Sequence, residues 1–432
     1  MGGRTVSVAD PSPTPSPIAP APAVASLRAA HFRLTLEPLA TIELSDFAGA
    51  VVRGGFGIAF KRTACPLRRQ RCAICLLAPT CVYLRIFETP VPAGAPLLPA
   101  GGKAPHPFII EPPEGDHRFA PGEPIRLGLT LLGDSEAQLP YFLYAFRCLG
   151  EMGLGRGRGR YRLVDVHLAN PGVPPRTLLA AGGDRLAPGP YATPLPWLPV
   201  APPADADNTS SPLTLHLHTP LRLKENGRYG ARPTFPILIK QLLRRLTLIH
   251  ACHCGTPPPI DHRAWIAAAA AVSVQSDVLT WCDLERYSTR QHATMRLGGW
   301  TGTVTYTGPW RPYRPLLDLA VLLHVGQGAT FGLGRLTYHL PSPGESQVTF
   351  VAPKNCPTTS ATLHPESQQQ RVLTPIRAEP KAIETFPAPR AWRGPPWVRI
   401  VAASVDGSVS WGEQGKERCD IRRSSRVRWS RS

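Results

Sequence analysis

Two short motifs recur in this chain at one spacing, and no other feature constrains its fold as much. Gly153-Leu154-Gly155-Arg156 returns as Gly332-Leu333-Gly334-Arg335, an offset of 179 residues, and Leu34-Thr35-Leu36 returns as Leu213-Thr214-Leu215 at that same offset. Self-similarity at a fixed distance implies one supersecondary plan used twice. A three-residue match is common by chance, so the pattern between the motifs has to agree in both halves.

It does agree. In the first half HFRLTLEP alternates like a strand, and 44–62 predicts a helix that carries awkward glycines. Strands are predicted at 107–111 and 125–132. Leu139, Phe142, Leu143, Phe146 and Leu149 recur at helical spacing, and RYRLVDVHL reads as a strand after a Gly-rich turn. That order, β-α-β-β-α-β, is the ferredoxin-like unit. The second half predicts a strand at 213–219, a helix at 235–250, a strand at 297–307, a helix at 314–324 and a strand at 331–340. Its second strand is placed only loosely, inside 276–284. The expected architecture is α+β, with two tandem ferredoxin-like domains at 31–169 and 213–345. The first carries a Cys-rich insertion at 64–82, and a Pro/Gly-rich linker at 170–212 joins the two. Residues 1–30 read as a disordered Pro/Ala-rich tether and 346–432 as a low-pattern basic tail.

The 432 residues hold 48 Lys+Arg against 30 Asp+Glu, a net charge of +18. From position 351 onward 14 Lys+Arg stand against 7 Asp+Glu, a net +7, so the body is basic without its tail. Such a balance points to polyanions, nucleic acid first among them. The hydrophobic share of 43% excludes wholesale disorder. No apolar run reaches the ~18 residues of a membrane-spanning helix, so no membrane partner is expected. No charged-then-apolar leader is legible in 1–30, and the ten cysteines are expected in a reducing, cytoplasmic compartment.

Several segments carry candidate chemistry. In Gly153 to Arg160 a residue without a side chain alternates with a cation or Leu154, so backbone N–H groups and the forked donors of Arg156, Arg158 and Arg160 can meet phosphates. The plain alternative is a basic helix-to-strand turn. The run lacks the Lys-Ser/Thr ending of a nucleotide-binding P-loop. Gly326 to Arg335, with Gly332, Gly334 and Arg335, is the expected counterpart. Arg286 and Arg290 flank Tyr287 in RYSTRQH, a mixture that suits single-stranded RNA and equally suits a solvated loop. Arg244 and Arg245 interrupt an apolar helix, where snorkelling side chains are the ordinary reading. Cys65, Cys72, Cys75 and Cys81 follow C-x6-C-x2-C-x5-C. That spacing predicts a structural Zn site, with an Fe–S cluster as the alternative. Four thiolates would leave no open position for catalysis, so no catalytic metal is expected. His250, Cys252, His253 and Cys254 are spaced too tightly for one four-ligand site.

The ordered set FxLTLEP, VVRGGFGIAFKR, CPLRRQRCAICLLAPTC, HPFIIEPP, GLGRGRGRYRL, TPLRLK, LLRRL, RYSTRQ, MRLGGWTGTVTYTG and HVGQGATFGLGRLTY resembles one branch of the sixth CRISPR-associated family. These are RAMP-superfamily endoribonucleases that process CRISPR precursor RNA. The resemblance spans roughly 31–340 and leaves out both tails. It implies paired ferredoxin-like domains, and CRISPR repeat RNA or crRNA as partner, with other Cas effector subunits as further partners. It also implies metal-independent cleavage by 2′-OH attack, leaving a 2′,3′-cyclic phosphate and a 5′-OH. Such cleavage needs a general base, and a His suits that role near neutrality. Relatives carry a His near the first helix, but 41–63 contains none. His324, beside the second Gly-rich segment, is the leading candidate, followed by His292 and then His31, which also reads as a strand-edge histidine. Arg335 and Arg156 are the expected phosphate stabilisers. Two other readings stay open: a non-catalytic RAMP subunit that holds crRNA in an effector complex, and a zinc-knot protein-interaction adaptor.

Overall fold

The computed structural model describes residues 27–339, apart from 69, 93, 96, 99–101, 116, 204–210 and 289–292, together with 409–410. The expected tether before residue 27, and nearly all of the basic tail, lie outside the described residues.

The first domain is built on β1 (Arg28–Pro38), α1 (Ala48–Ala64), β2 (Phe108–Glu111), β3 (Ile125–Leu132), α2 (Leu139–Met152) and β4 (Tyr161–Leu168). Alternation along β1 sends Phe32, Leu34 and Leu36 into the core at 0% exposure and turns Arg33, Thr35 and Glu37 outward. Strand order is β2-β3-β1-β4, all antiparallel. Phe56 of α1 sits among Phe60, Phe87, Phe108, Phe142 and Phe146, which fixes both helices on one sheet face. The glycines of α1 buy nothing in helix propensity and act through contact. A Cβ on Gly55 would lie 2.8 Å from Leu149 Cδ1, so its absence lets α2 approach.

The second domain repeats the plan with β6 (Leu213–Leu221), α3 (Phe235–His253), α4 (His262–Ala269), β7 (Ser273–Cys282), β8 (Gly299–Thr307), α5 (Arg314–Leu323) and β9 (Leu336–His339), β5 lying between the domains as described below. Its sheet order is β7-β8-β6-β9, and both sheets therefore run 2-3-1-4 in the numbering of the unit. Leu213, Leu215 and Leu217 point into a core closed by Leu238, Leu242, Leu246 and Ile249 of α3. Thr214, His216 and His218 occupy the opposite face of β6. Phe235, Tyr313 and Trp265 meet edge to face and lock α3, α4 and the start of α5 together.

Two expectations change. The 170–212 segment is not a free linker along its described length. Its β5 (Arg176–Leu179) adds to β4 as a fifth strand, and Thr193–Pro194 pairs with the start of β1. The second Gly-Leu-Gly-Arg is also not the structural counterpart of the first. The first follows the last residue of α2 directly, whereas the second directly precedes β9. The repeat reports the right architecture, but its two copies sit at opposite ends of the helix-to-strand connection.

Candidate functional site

The domains meet along the connection from α5 to β9. Phe331 in that connection lies under two guanidinium groups, Arg53 of α1 at 5.3 Å and Arg286 at 4.6 Å from its ring centre. A Cβ on Gly49 would fall 2.0 Å from the Phe331 carbonyl oxygen, and one on Gly332 would fall 2.4 Å from Pro112 Cδ. Gly334 is pressed as closely on the Val325 carbonyl. Gly332 thus allows close approach of the first domain and Gly334 a tight turn within the second, and Gly332 also borders the open crevice.

Beneath this seam runs a buried polar network. His324 caps α5 with a positive φ of 55° and has 0% exposure. Its Nδ1 lies 3.2 Å from the Leu333 carbonyl and its Nε2 lies 3.3 Å from Glu111 Oε1 on β2. Both partners only accept hydrogen bonds, so the ring is held between two acceptors. Burial alone would push the Glu111 carboxyl upward. The hydrogen bond and charge of His324, with those of His31 and Arg335, outweigh it and hold Glu111 at about 2. His31, held by Thr130 Oγ1 at 3.0 Å, borders the same carboxylate, and burial lowers its pKa. The structure thus gathers His324, His31 and Arg335, three residues singled out by sequence, around one glutamate. A base must reach its substrate, and His324 has no exposed surface with which to do so.

The open part of the site is a crevice of about 320 Å³ between the domains, lined among others by Glu111, Glu114, His117, His218, Thr219 and Arg335. His218 Nε2 lies 2.7 Å from Thr337 Oγ1 across β6 and β9. Burial lowers its pKa, and the Arg335 charge lowers it further, so His218 is neutral at neutral pH. Both ring nitrogens of His117 are closed off from bulk solvent and have no hydrogen-bond partner among the described residues. Arg335 donates to Glu114 and stands 4.0 Å from Glu111, while Thr219 Oγ1 holds its backbone N–H at 2.9 Å. Sequence reasoning passed over His218, His117 and Glu111. The alternation in Leu215-His216-Leu217-His218 was a usable signal, since it sets both histidines opposite the leucines. His117 lies in a Pro/Gly-rich loop that carries none.

The connection from α2 to β4 is different in kind. Leu154 is buried, and a backbone bridge from Arg156 to Glu43 fixes the turn. Arg156, Arg158 and Arg160 are all exposed. Arg286 is drawn onto Phe331, and burial lowers its pKa. Arg290 and His292 lie outside the described residues. Cys65 is buried at the end of α1, and Cys72, Cys75 and Cys81 follow in short turns as free thiols. Among the described residues no group of three or more His, Cys, Asp or Glu is gathered to hold an ion. The expected structural zinc therefore finds no support in this arrangement. No helix among the described residues is long and apolar enough to cross a membrane.

The architecture is a pair of ferredoxin-like domains with a polar crevice at their seam, and comparison with known proteins shows what it resembles. Residues 215–336 match the model of the CRISPR-associated endoribonuclease Cas6 family, and residues 27–191 match a family model described as an N-terminal domain. Residues 215–336 are therefore similar to the Cas6 family. A relative from Archaeoglobus fulgidus, described as an uncharacterized protein, is 26% identical over 123 residues, 28% of this chain. That match spans 40% of the relative's length. Among solved structures, Thermus thermophilus Cas6 is 18% identical with a TM-score of 0.41, covering 73% of this chain and 100% of that one. A Cas6 product complex is 19% identical with a TM-score of 0.42, covering 72% and 99%. A partial Cas6-RT-Cas1–Cas2 complex is 16% identical with a TM-score of 0.43, covering 78% and 50%.

Proposed function

We propose that this chain grips CRISPR repeat RNA with Arg156, Arg158 and Arg160 and cleaves it, without a metal, in the crevice between its domains. One observation carries the reading: a neutral histidine, His218, stands beside Arg335 at an open interdomain site, within the segment that matches an endoribonuclease family. The neutral imidazole of His218 takes the proton of the 2′-OH on its unprotonated ring nitrogen. The 2′-oxygen then bonds to phosphorus and the P–O5′ bond breaks. Solvent water in the open crevice supplies the proton that the 5′-oxygen needs to leave. Arg335 exchanges the exposed Glu114 for the phosphate and stabilises the charge that develops on its oxygens. Glu111 stays with His324 and holds the two domains in register around the crevice. His324 and His31 therefore support the site from within, and the base role falls to His218.

The test is the reaction of purified protein with repeat RNA. Cleavage that persists in EDTA, stops on a 2′-deoxy substitution at the cut, and leaves 2′,3′-cyclic phosphate ends is the expected result. Cutting of the deoxy substrate refutes the mechanism. One observation favours a second reading, a non-catalytic crRNA-binding subunit: Arg335 is already closed on two carboxylates. On that reading the protein binds repeat RNA tightly and yields no product, and other Cas effector subunits are its partners.

A further inference from the structure

Arg245 does not snorkel. Its Nε donates to the Leu323 carbonyl at 2.7 Å, while its Nη2 is shut off from solvent and has no hydrogen-bond partner among the described residues. Burial pulls its pKa down to about 10, and no carboxylate opposes that shift. A buried guanidinium without a counter-charge is destabilising unless an anion or further acceptors meet it. Its surroundings explain how that cost can be met. Arg245 lines a cavity of about 300 Å³ between α3, Leu98, Lys103–His106 and the Gly326–Thr330 turn. Lys103 and Arg244 line it as well, and no Asp or Glu does. Arg244 is steadied by the Leu97 carbonyl, which holds its head at the cavity wall. The crevice described above has no residue in common with this cavity. Three cations, one of them buried and incompletely hydrogen-bonded, around a space without acids form an anion site by charge and by geometry.

We propose that this second cavity binds a phosphate group, with Arg245 as its fixed inner donor and Lys103 and Arg244 as its mouth. The phosphate belongs either to the backbone of a bound RNA or to a free phosphate-bearing small molecule. The inference needs neither cleavage nor the chemistry proposed for the crevice, so either can fail alone.

The experiment uses the full chain and inorganic phosphate, titrated at constant ionic strength with chloride as balance. Wild type is expected to gain roughly 3 °C or more in melting temperature, saturably, as a ligand that binds only the folded state does. Arg245→Met should abolish that gain. Lys103→Ala with Arg244→Gln, both outside the core, should weaken it at least about 5-fold in the phosphate midpoint. Binding of repeat RNA to the same variants assigns the source. An affinity loss of about 5-fold or more in the Lys103/Arg244 variant, together with competition by phosphate, assigns an RNA backbone phosphate. Unchanged RNA affinity with the phosphate response lost assigns a free phosphate ligand. No phosphate-specific gain in wild type overturns the proposal. So does a gain that survives in both variants, because the ion then binds elsewhere.

Discussion

The two helix-to-strand connections share the words Gly-Leu-Gly-Arg and use them in opposite ways. In the first, Gly153, Gly155 and Gly157 take φ values of 82°, 73° and 77°, and the turn fans its arginines into solvent. The motif's glycines are packed here too, a Cβ on Gly155 falling 2.1 Å from the Glu43 carbonyl oxygen. One on Gly157, just past the motif, would meet nothing within 4 Å, so what separates the two connections is where their arginines go. In the second, Gly332 and Gly334 are pressed against protein, and Arg335 is closed on Glu114 and Glu111. The same residue types thus make an exposed basic surface when the turn is peripheral and a domain seam when it faces a neighbour. A Gly-Arg motif states a capacity for close approach, and the surrounding fold decides what approaches.

The largest effect should come from the seam. Glu111→Ala removes the carboxylate that the buried ring of His324 faces, and an unfolding measurement should show a loss of about 3 kcal/mol. The pH dependence follows from the shift. Glu111 is held at about 2 against an ordinary 4.5, so the pair contributes fully above 4.5 and is lost as pH falls through 2. Wild type should therefore lose stability across that acid range, and Glu111→Gln should flatten the dependence. A flat wild-type profile would remove the pair as a determinant.

Next in size is the exposed turn. Replacing Arg156, Arg158 and Arg160 with Gln should weaken repeat-RNA binding about 10–100-fold and lower the slope of log affinity against log salt by about 2, at ~0.7 per lost phosphate contact. Melting temperature should not move. A fall in stability with unchanged salt slope would mean that this turn is structural, like its partner.

The smallest pair contrasts the glycines directly. Gly332→Ala should cost about 1–3 kcal/mol through its collision with Pro112. Gly157→Ala should cost about 1 kcal/mol, from the positive φ alone. Equal losses in thermal denaturation would erase the distinction between the two connections.

Much of the fold was legible because its elements are amphipathic and sequential. Ile125–Leu132 is a strand with both predicted ends, and Leu139, Phe142, Leu143, Phe146 and Leu149 are all buried on α2. The second strand of the second domain was harder for a physical reason. Ser273–Cys282 is an edge strand, exposed along nearly all its length, so it carries no alternation of apolar and polar residues. Strand Arg176–Leu179 hid among prolines and glycines because four residues give too short a period. The site was legible in part: His31, His324 and Arg335 do converge. What they converge on is Glu111, 213 residues from His324 in the chain, and no local pattern announces a partner that distant. Arg245 was legible as a cation on an apolar helix, but its enclosure depends on Lys103–His106 and the Gly326 turn, both far off in sequence.

The central claim is that chemistry belongs to the crevice, with His218 as base, while the first connection only grips. Single-turnover cleavage of repeat RNA by His218→Ala, at saturating protein beside wild type, tests it most directly. Because the His218 pKa lies below the ordinary 6.5, the wild-type rate should rise through a midpoint below that value and then level off. The variant is predicted to lose at least about 100-fold in rate with its RNA affinity intact. An unchanged rate in His218→Ala contradicts the account.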